Sequence, residues 1–214
     1  MQKLILDKDI HEVLEIFPKL KLFEKEKKKI LSGEIDIFDA ADNYLDSFTI
    51  NVAIPRNYPY GFPLLFETSN KFEHIPDRHI DEDGSCCVCS LQESDLISQK
   101  GISIKAFFLK FVIPYLANQL YFDRENEWVN GDYEHGAEGI LQFYDELFKL
   151  KDIVVVINLL SFFNTTKMNR NDNCFCGKKE KLKRCHIQTY TIIKNLSKKR
   201  IEYDILALKW LLRN

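Results

Sequence analysis

Apolar positions fall into a helical rhythm near the start of the chain. Ile10, Val13, Leu14, Ile16, Phe17 and Leu20 recur among charged residues between about Asp9 and Leu31, the spacing of one face of an α-helix. Pro18 interrupts that run. It predicts a kink or two short helices, because proline lacks the amide proton and crowds the preceding turn. Ile35, Ile37 and Phe38 then lead to a turn at Ala41-Asp42-Asn43. From Phe48 to Ile54 apolar and polar residues alternate, the period of a half-buried strand. A loop bearing Pro55, Pro59 and Pro63 precedes a short strand, Leu64 to Glu67.

Residues 70–100 show little periodicity and contain Asp83-Gly84 and three cysteines, which reads as an irregular functional loop. Helical spacing returns over roughly Ser103–Tyr121 and Glu134–Phe148. Asp152–Phe163 reads as a third helix, although Val154-Val155-Val156-Ile157 also suits a strand. Near the end, Ile201, Ile205, Leu206, Leu208, Trp210 and Leu211 mark an amphipathic helix. It is fit to pack back on the chain or to bind a partner. Helix, then a meander of three to four strands, a long loop and further helices is an α+β order. The polar run Asn164–Asn171 marks a boundary, so the expected domains are residues 1–163 and an appendage over 164–214.

A chain of 214 residues accommodates one full domain and a small appendage. The N-terminus has no basic start followed by an apolar run, and the apolar stretch Ile153–Phe163 is too short to cross a bilayer. A cytoplasmic protein with no membrane partner is expected. The net charge of −2 conceals an asymmetry: residues 165–214 hold 13 Lys and Arg against 4 Asp and Glu, and the remainder is acidic. A basic tail of this kind suits docking on an acidic surface. Without interleaved aromatics or a reader motif, nucleic acid is not the expected partner.

In a reducing compartment, cysteines serve as metal ligands or nucleophiles more often than as disulfides. Here they form two groups: Cys86, Cys87 and Cys89, then Cys174, Cys176 and Cys185. For the first group, residue chemistry alone leaves nucleophile, metal ligand (with His79 or His74) and inert buried thiol open.

The ordered set Ile54-Pro55, Tyr58-Pro59, Pro63 to Thr68, Asp77-Arg78-His79-Ile80 and Gly84-Ser85-Cys86-Cys87-Val88 resembles the ubiquitin-conjugating family. In that family a proline-rich loop follows a strand, and a His-Pro-Asn tripeptide precedes a Gly-x-x-Cys nucleophile. The match puts Gly84 at the glycine, Cys87 at the nucleophile and Asp77-Arg78-His79 at the tripeptide. A histidine in place of the asparagine, with Trp128, Gly131 and His135-Gly136 to Ile140, resembles the bacterial branch of anti-phage CBASS operons. The resemblance implies a UBC-like fold and an acyl transfer enzyme that carries a protein's C-terminus as a Cys87 thioester. His79, Asp77 and His135 are its further candidate catalytic residues. A thiolate attacks well and its thioester stays reactive toward amines. Transfer passes through an oxyanion that needs a donor, and His79 could supply one while also titrating near neutrality. The implied partner is a cGAS-like nucleotidyltransferase or another protein whose C-terminus is conjugated, with or without a separate activating enzyme.

The second group resembles the SEC-C motif: Cys174-x-Cys176, eight residues, then Cys185-His186, with Lys178 and Lys179 where the motif has Ser and Gly. Three thiolates and one imidazole make a closed structural zinc shell. The neighbouring lysines are expected to lower the thiol pKa values. The rival to the enzyme reading is a non-catalytic adaptor with zinc in both cysteine groups.

Overall fold

The structure is a computed structural model that describes residues 2–26, 28–129 and 133–214. It is mixed α/β, with helices and a four-stranded antiparallel sheet in the order β1-β2-β3-β4. The chain forms two compact units. Met1–Cys89 with Lys100–Asp132 make the first, and Ser90–Gln99 with Tyr133–Asn214 make the second. Residue 163 falls within helix α6 (Ile153–Thr165), inside the second unit.

In the first unit, α1 (Gln2–Ile16) leads into β1 (Leu20–Lys25), β2 (Lys28–Phe38), β3 (Tyr44–Ile54) and β4 (Leu64–Glu67). The expected second helix after Pro18 is therefore two strands. Phe17 closes α1 with its amide on Val13, and from Leu20 onward the amides pair across a hairpin, Leu20 opposite Gly33 and Lys25 opposite Lys28. Alternation then sorts β2 and β3: Leu31, Ile35, Ile37, Phe48, Ile50 and Val52 are buried, as a strand's period of two requires. A continuous helical stretch runs through α3 (Ile104–Phe107), a π-helical segment Phe108–Val112 and α4 (Ile113–Glu125). It supplies Phe107, Phe108, Val112 and Leu116 to the core.

The second unit contains α2 (Leu91–Lys100, through Gln99), α5 (Gly136–Phe148), α6, α7 (Ile187–Asn195) and α8 (Lys198–Leu211). Residues 91–100, expected as irregular loop, are thus helical. The ambiguous valine run is also helical: the Asp152 carboxylate accepts the amides of Val154 and Val155 at 2.9 and 3.1 Å, an N-cap that starts a helix. Tyr144, Phe148, Val156, Leu160, Ile193, Ile201, Ile205 and Leu208 form the unit's core.

That core carries a buried polar knot. Asp204, fully buried, accepts from Gln92 Nε2 at 2.9 Å and Tyr144 Oη at 2.7 Å, and lies 2.7 Å from Arg200 Nη2. A second clasp joins α2 to the start of α8. Asp95 accepts the Ser197 amide at 2.6 Å and its hydroxyl at 2.7 Å, while Ser197 Oγ accepts the Arg200 amide and caps α8.

Candidate functional site

The first cysteine group lies on a short hairpin. Asp81 accepts the Gly84 amide at 2.8 Å and donates its own amide to Ser85 at 2.9 Å, so residues 81–85 reverse the chain. Gly84 has φ +82, and a Cβ there would sit 3.0 Å from the Glu67 carbonyl and 3.2 Å from the His74 ring. Only glycine suits that left-handed, crowded position. The returning arm is held on both sides. Glu67 donates to Gly84 at 3.0 Å and Cys86 to Leu65 at 2.9 Å on the β4 side, while the Cys87 amide donates to the His79 carbonyl at 2.9 Å. The Val88 amide bonds the Cys86 carbonyl at 3.1 Å, placing Cys87 at the centre of a three-residue turn.

The thiols differ in setting. Cys87 is exposed, whereas Cys86 and Cys89 are half-buried. Burial pushes the Cys86 thiol up to about 12. Burial, then the Asp81 carboxylate, also raises the Cys87 thiol above its ordinary value. At neutral pH both rest as thiols. Among the described residues these cysteines do not belong to a group able to hold a metal ion.

The Asp77-Arg78-His79 segment is braced from α4. Arg78 pairs with Asp123 at 2.5 Å and stacks over Phe72 and Phe122 at 5.3 and 5.0 Å, and its carbonyl accepts Gln119 Nε2 at 2.6 Å. Tyr115 Oη donates to the His79 carbonyl at 3.1 Å, the same carbonyl that holds Cys87. His79 takes φ +53 at the end of the Pro76–Arg78 turn, and its ring meets the edge of Trp128 at 5.1 Å. The backbone of His79 therefore positions Cys87, a role that residue identity alone did not signal. Asp77 is exposed. His135 belongs to the second unit, where it is the N-cap residue of α5. Gly131, part of the motif expected around it, lies outside the described residues.

The second group does converge. The ligand atoms of Cys174, Cys176, Cys185 and His186 all lie within 4.8 Å of one another, close enough to bind one metal ion. Cys174 Sγ and Cys185 Sγ stand 3.2 and 3.1 Å from His186 Nδ1, and Cys176 Sγ stands 3.6 Å from Cys185 Sγ. A tetrahedron with ordinary Zn–S and Zn–N lengths has edges of about 3.5–3.8 Å, so the donor set is compatible with zinc after small shifts of its side chains.

Local sequence builds this cradle. The Gly177 amide folds back on the Cys174 carbonyl at 3.3 Å, with φ +77 at Gly177, and Cys174 donates to Glu180 at 2.8 Å. A turn at Leu182–Arg184 then presents Cys185 and His186, just before α7 begins. Cys174, Leu182 and Tyr190 are buried beneath it, packed by Phe163, Met168 and Phe175. The expected lowering of thiol pKa values holds for Cys176, chiefly through the Lys178 amide, but burial pushes Cys185 up to about 12. Backbone donors rather than lysine charges lead the one lowered value. Among the described residues no helix is long and apolar enough to cross a membrane. Comparison with family models, with curated proteins and with solved structures finds no match to this chain.

Proposed function

We propose that the first unit is a ubiquitin-conjugating-type acyl carrier of UBC-like fold, with Cys87 as nucleophile, and that the second unit holds one structural zinc on Cys174, Cys176, Cys185 and His186. The observation that carries the first part is the contrast within one hairpin. Cys87 offers an exposed thiol on backbone fixed to His79, while its neighbour Cys86 is half-buried and far from ionising. In the proposed step, Cys87 Sγ loses its proton and attacks the carbonyl carbon of another protein's activated C-terminus, an acyl adenylate or thioester. The C–S bond forms and the adenylate or partner thiolate leaves with its electron pair. An acceptor amine then forms the C–N bond, loses a proton, and returns the thiolate to Cys87. The raised Cys87 thiol suits a carrier that reacts only when a partner supplies the base.

The donor or target is proposed to be a cGAS-like nucleotidyltransferase, with a separate activating enzyme; this rests on the resemblance. A cyclase gene beside this one would support it. The raised thiol equally favours a second reading, a non-catalytic adaptor of UBC-like fold with zinc-mediated protein binding, for which only the second cysteine group converges among the described residues. Incubation with an activating enzyme and its modifier separates the two. Cys87→Ala should abolish a thiol-reducible adduct that Cys86→Ala and Cys89→Ala retain, and no adduct on any variant favours the adaptor.

A further inference from the structure

Helix α8 presents two faces. Ile201, Asp204, Ile205 and Leu208 are buried. On the other side Tyr203, Leu206 and Trp210 are 53, 67 and 61% exposed, at the i, i+3, i+7 spacing of a packing stripe. Leu91, Ala137, Ile140 and Ala207 extend the stripe into a shallow apolar groove of the same unit. Contiguous apolar surface of this kind marks an interaction site more often than scattered exposed residues do.

We propose that this face joins two copies of the chain, α8 lying antiparallel to the second copy's α8 about a two-fold axis. The charges beside the stripe select that occupant. With Tyr203 and Trp210 at heptad position a and Lys199 and Leu206 at d, Glu202 and Lys209 both fall at g. In an antiparallel pair g faces g. One register sets Tyr203 opposite the second copy's Leu206 and Trp210 opposite its Lys199, and it brings Glu202 against Lys209. Two-fold symmetry repeats each contact. The ammonium of Lys199 can then lie over the indole face.

The alternatives are disfavoured by the same charges. The register one heptad along sets Lys209 against Lys209, and a parallel pair sets Lys199 against Lys199. Like charges facing one another discriminate against both arrangements. Within its own helix Glu202 has only an exposed partner, Lys198 at 3.8 Å, and such pairs contribute little. A single helix face falls below the area of a standard stable interface, roughly 1,200–2,000 Å². The dimer should therefore be weak, with Kd on the order of 10 μM.

The test is sedimentation equilibrium of the full zinc-loaded chain over about 1–200 μM, a range bracketing that Kd. Concentration-dependent dimerisation is expected. Leu206→Glu should raise Kd by roughly tenfold or more, and Glu202→Lys by roughly three- to tenfold. The double variant Glu202→Lys with Lys209→Glu should recover wild-type association, because the swapped pair meets in the same place. A chain that stays monomeric throughout the range overturns the proposal. So does a dimer indifferent to Leu206→Glu, or a double swap no better than Glu202→Lys. A monomer that uses Leu206 to hold a different protein also overturns it, assigning the stripe to a foreign partner.

Discussion

Replacing Asp204 tests what holds the second unit together. The side chain is fully buried and has three partners on α2, α5 and α8: Gln92, Tyr144 and Arg200. In Asp204→Ala the hydroxyl of fully buried Tyr144 and the amide of Gln92 lose their acceptor, and a largely buried guanidinium loses its counter-ion. Each orphaned neutral donor costs about 1–3 kcal/mol, and breaking a buried ion pair from one side costs about 3–5 kcal/mol. These terms overlap, so a loss of about 4 kcal/mol is expected, a large share of the roughly 5–15 kcal/mol that holds a typical domain folded.

The pH dependence adds a signature. Burial holds the Asp204 carboxyl above its ordinary value despite two hydrogen-bond donors and the Arg200 charge, so the folded chain keeps that proton more tightly than the unfolded chain. The linked stability is complete below about pH 4 and is lost as pH rises through the folded value. Against Asp204→Asn, which has no such proton, the wild type's advantage should be largest near pH 4 and shrink toward neutrality. Urea unfolding followed by circular dichroism measures both effects, with hydrogen exchange over α8 assigning the transition. A loss below about 1 kcal/mol in Asp204→Ala, the net worth of one ordinary hydrogen bond, would refute the role given to the knot. An Asp204→Asn gap that widens with pH would refute the sign.

Three further outcomes are expected. Purified chain should bind about one zinc ion, and the double variant Cys174→Ser with Cys176→Ser should lose it and expose Leu182 and Tyr190, read as metal content and 1-anilinonaphthalene-8-sulfonate fluorescence. Asp81→Asn removes the charge that helps raise the Cys87 thiol, so iodoacetamide should label Cys87 faster at pH 8, by roughly two- to fivefold; an unchanged rate would leave burial as the sole cause. Gly84→Ala forces a side chain into φ +82 and against the Glu67 carbonyl and His74 ring, and should cost about 1–3 kcal/mol in thermal unfolding.

How much was legible beforehand depended on which physical signal each element carries. The β3 strand and helix α5 announce themselves because their buried positions are apolar at the right period. Helix α2 does not: its inward residues Gln92 and Asp95 are polar and satisfied by Asp204 and Ser197, more than 100 residues away in sequence. Leu96 also packs on that core, but one apolar position makes no period to be read. The β1–β2 hairpin was hidden for a different reason, since Glu26 takes φ +52 where a turn is usually signalled by Gly or Asn. At the sites, the Cys174-x-Cys176 and Cys185-His186 spacing was sufficient, because local backbone turns bring those four side chains together. The Tyr115–His79–Cys87 chain was not legible, because it runs through carbonyl groups that every residue possesses.

The discontinuity of the second unit has a consequence for how this architecture can be cut and inherited. Its sequence enters at Ser90, leaves at Gln99 and returns at Tyr133. A terminal fragment beginning after residue 133 lacks Gln92 and Asp95, and so arrives with Asp204 and Ser197 short of their partners. A fragment ending before it carries α2 with its polar face unanswered. Simple truncation or end-to-end gene fusion therefore cannot transfer the second unit, with its cluster of three cysteines and a histidine, intact. The unit's two segments must instead be exchanged together, α2 with the C-terminal helices.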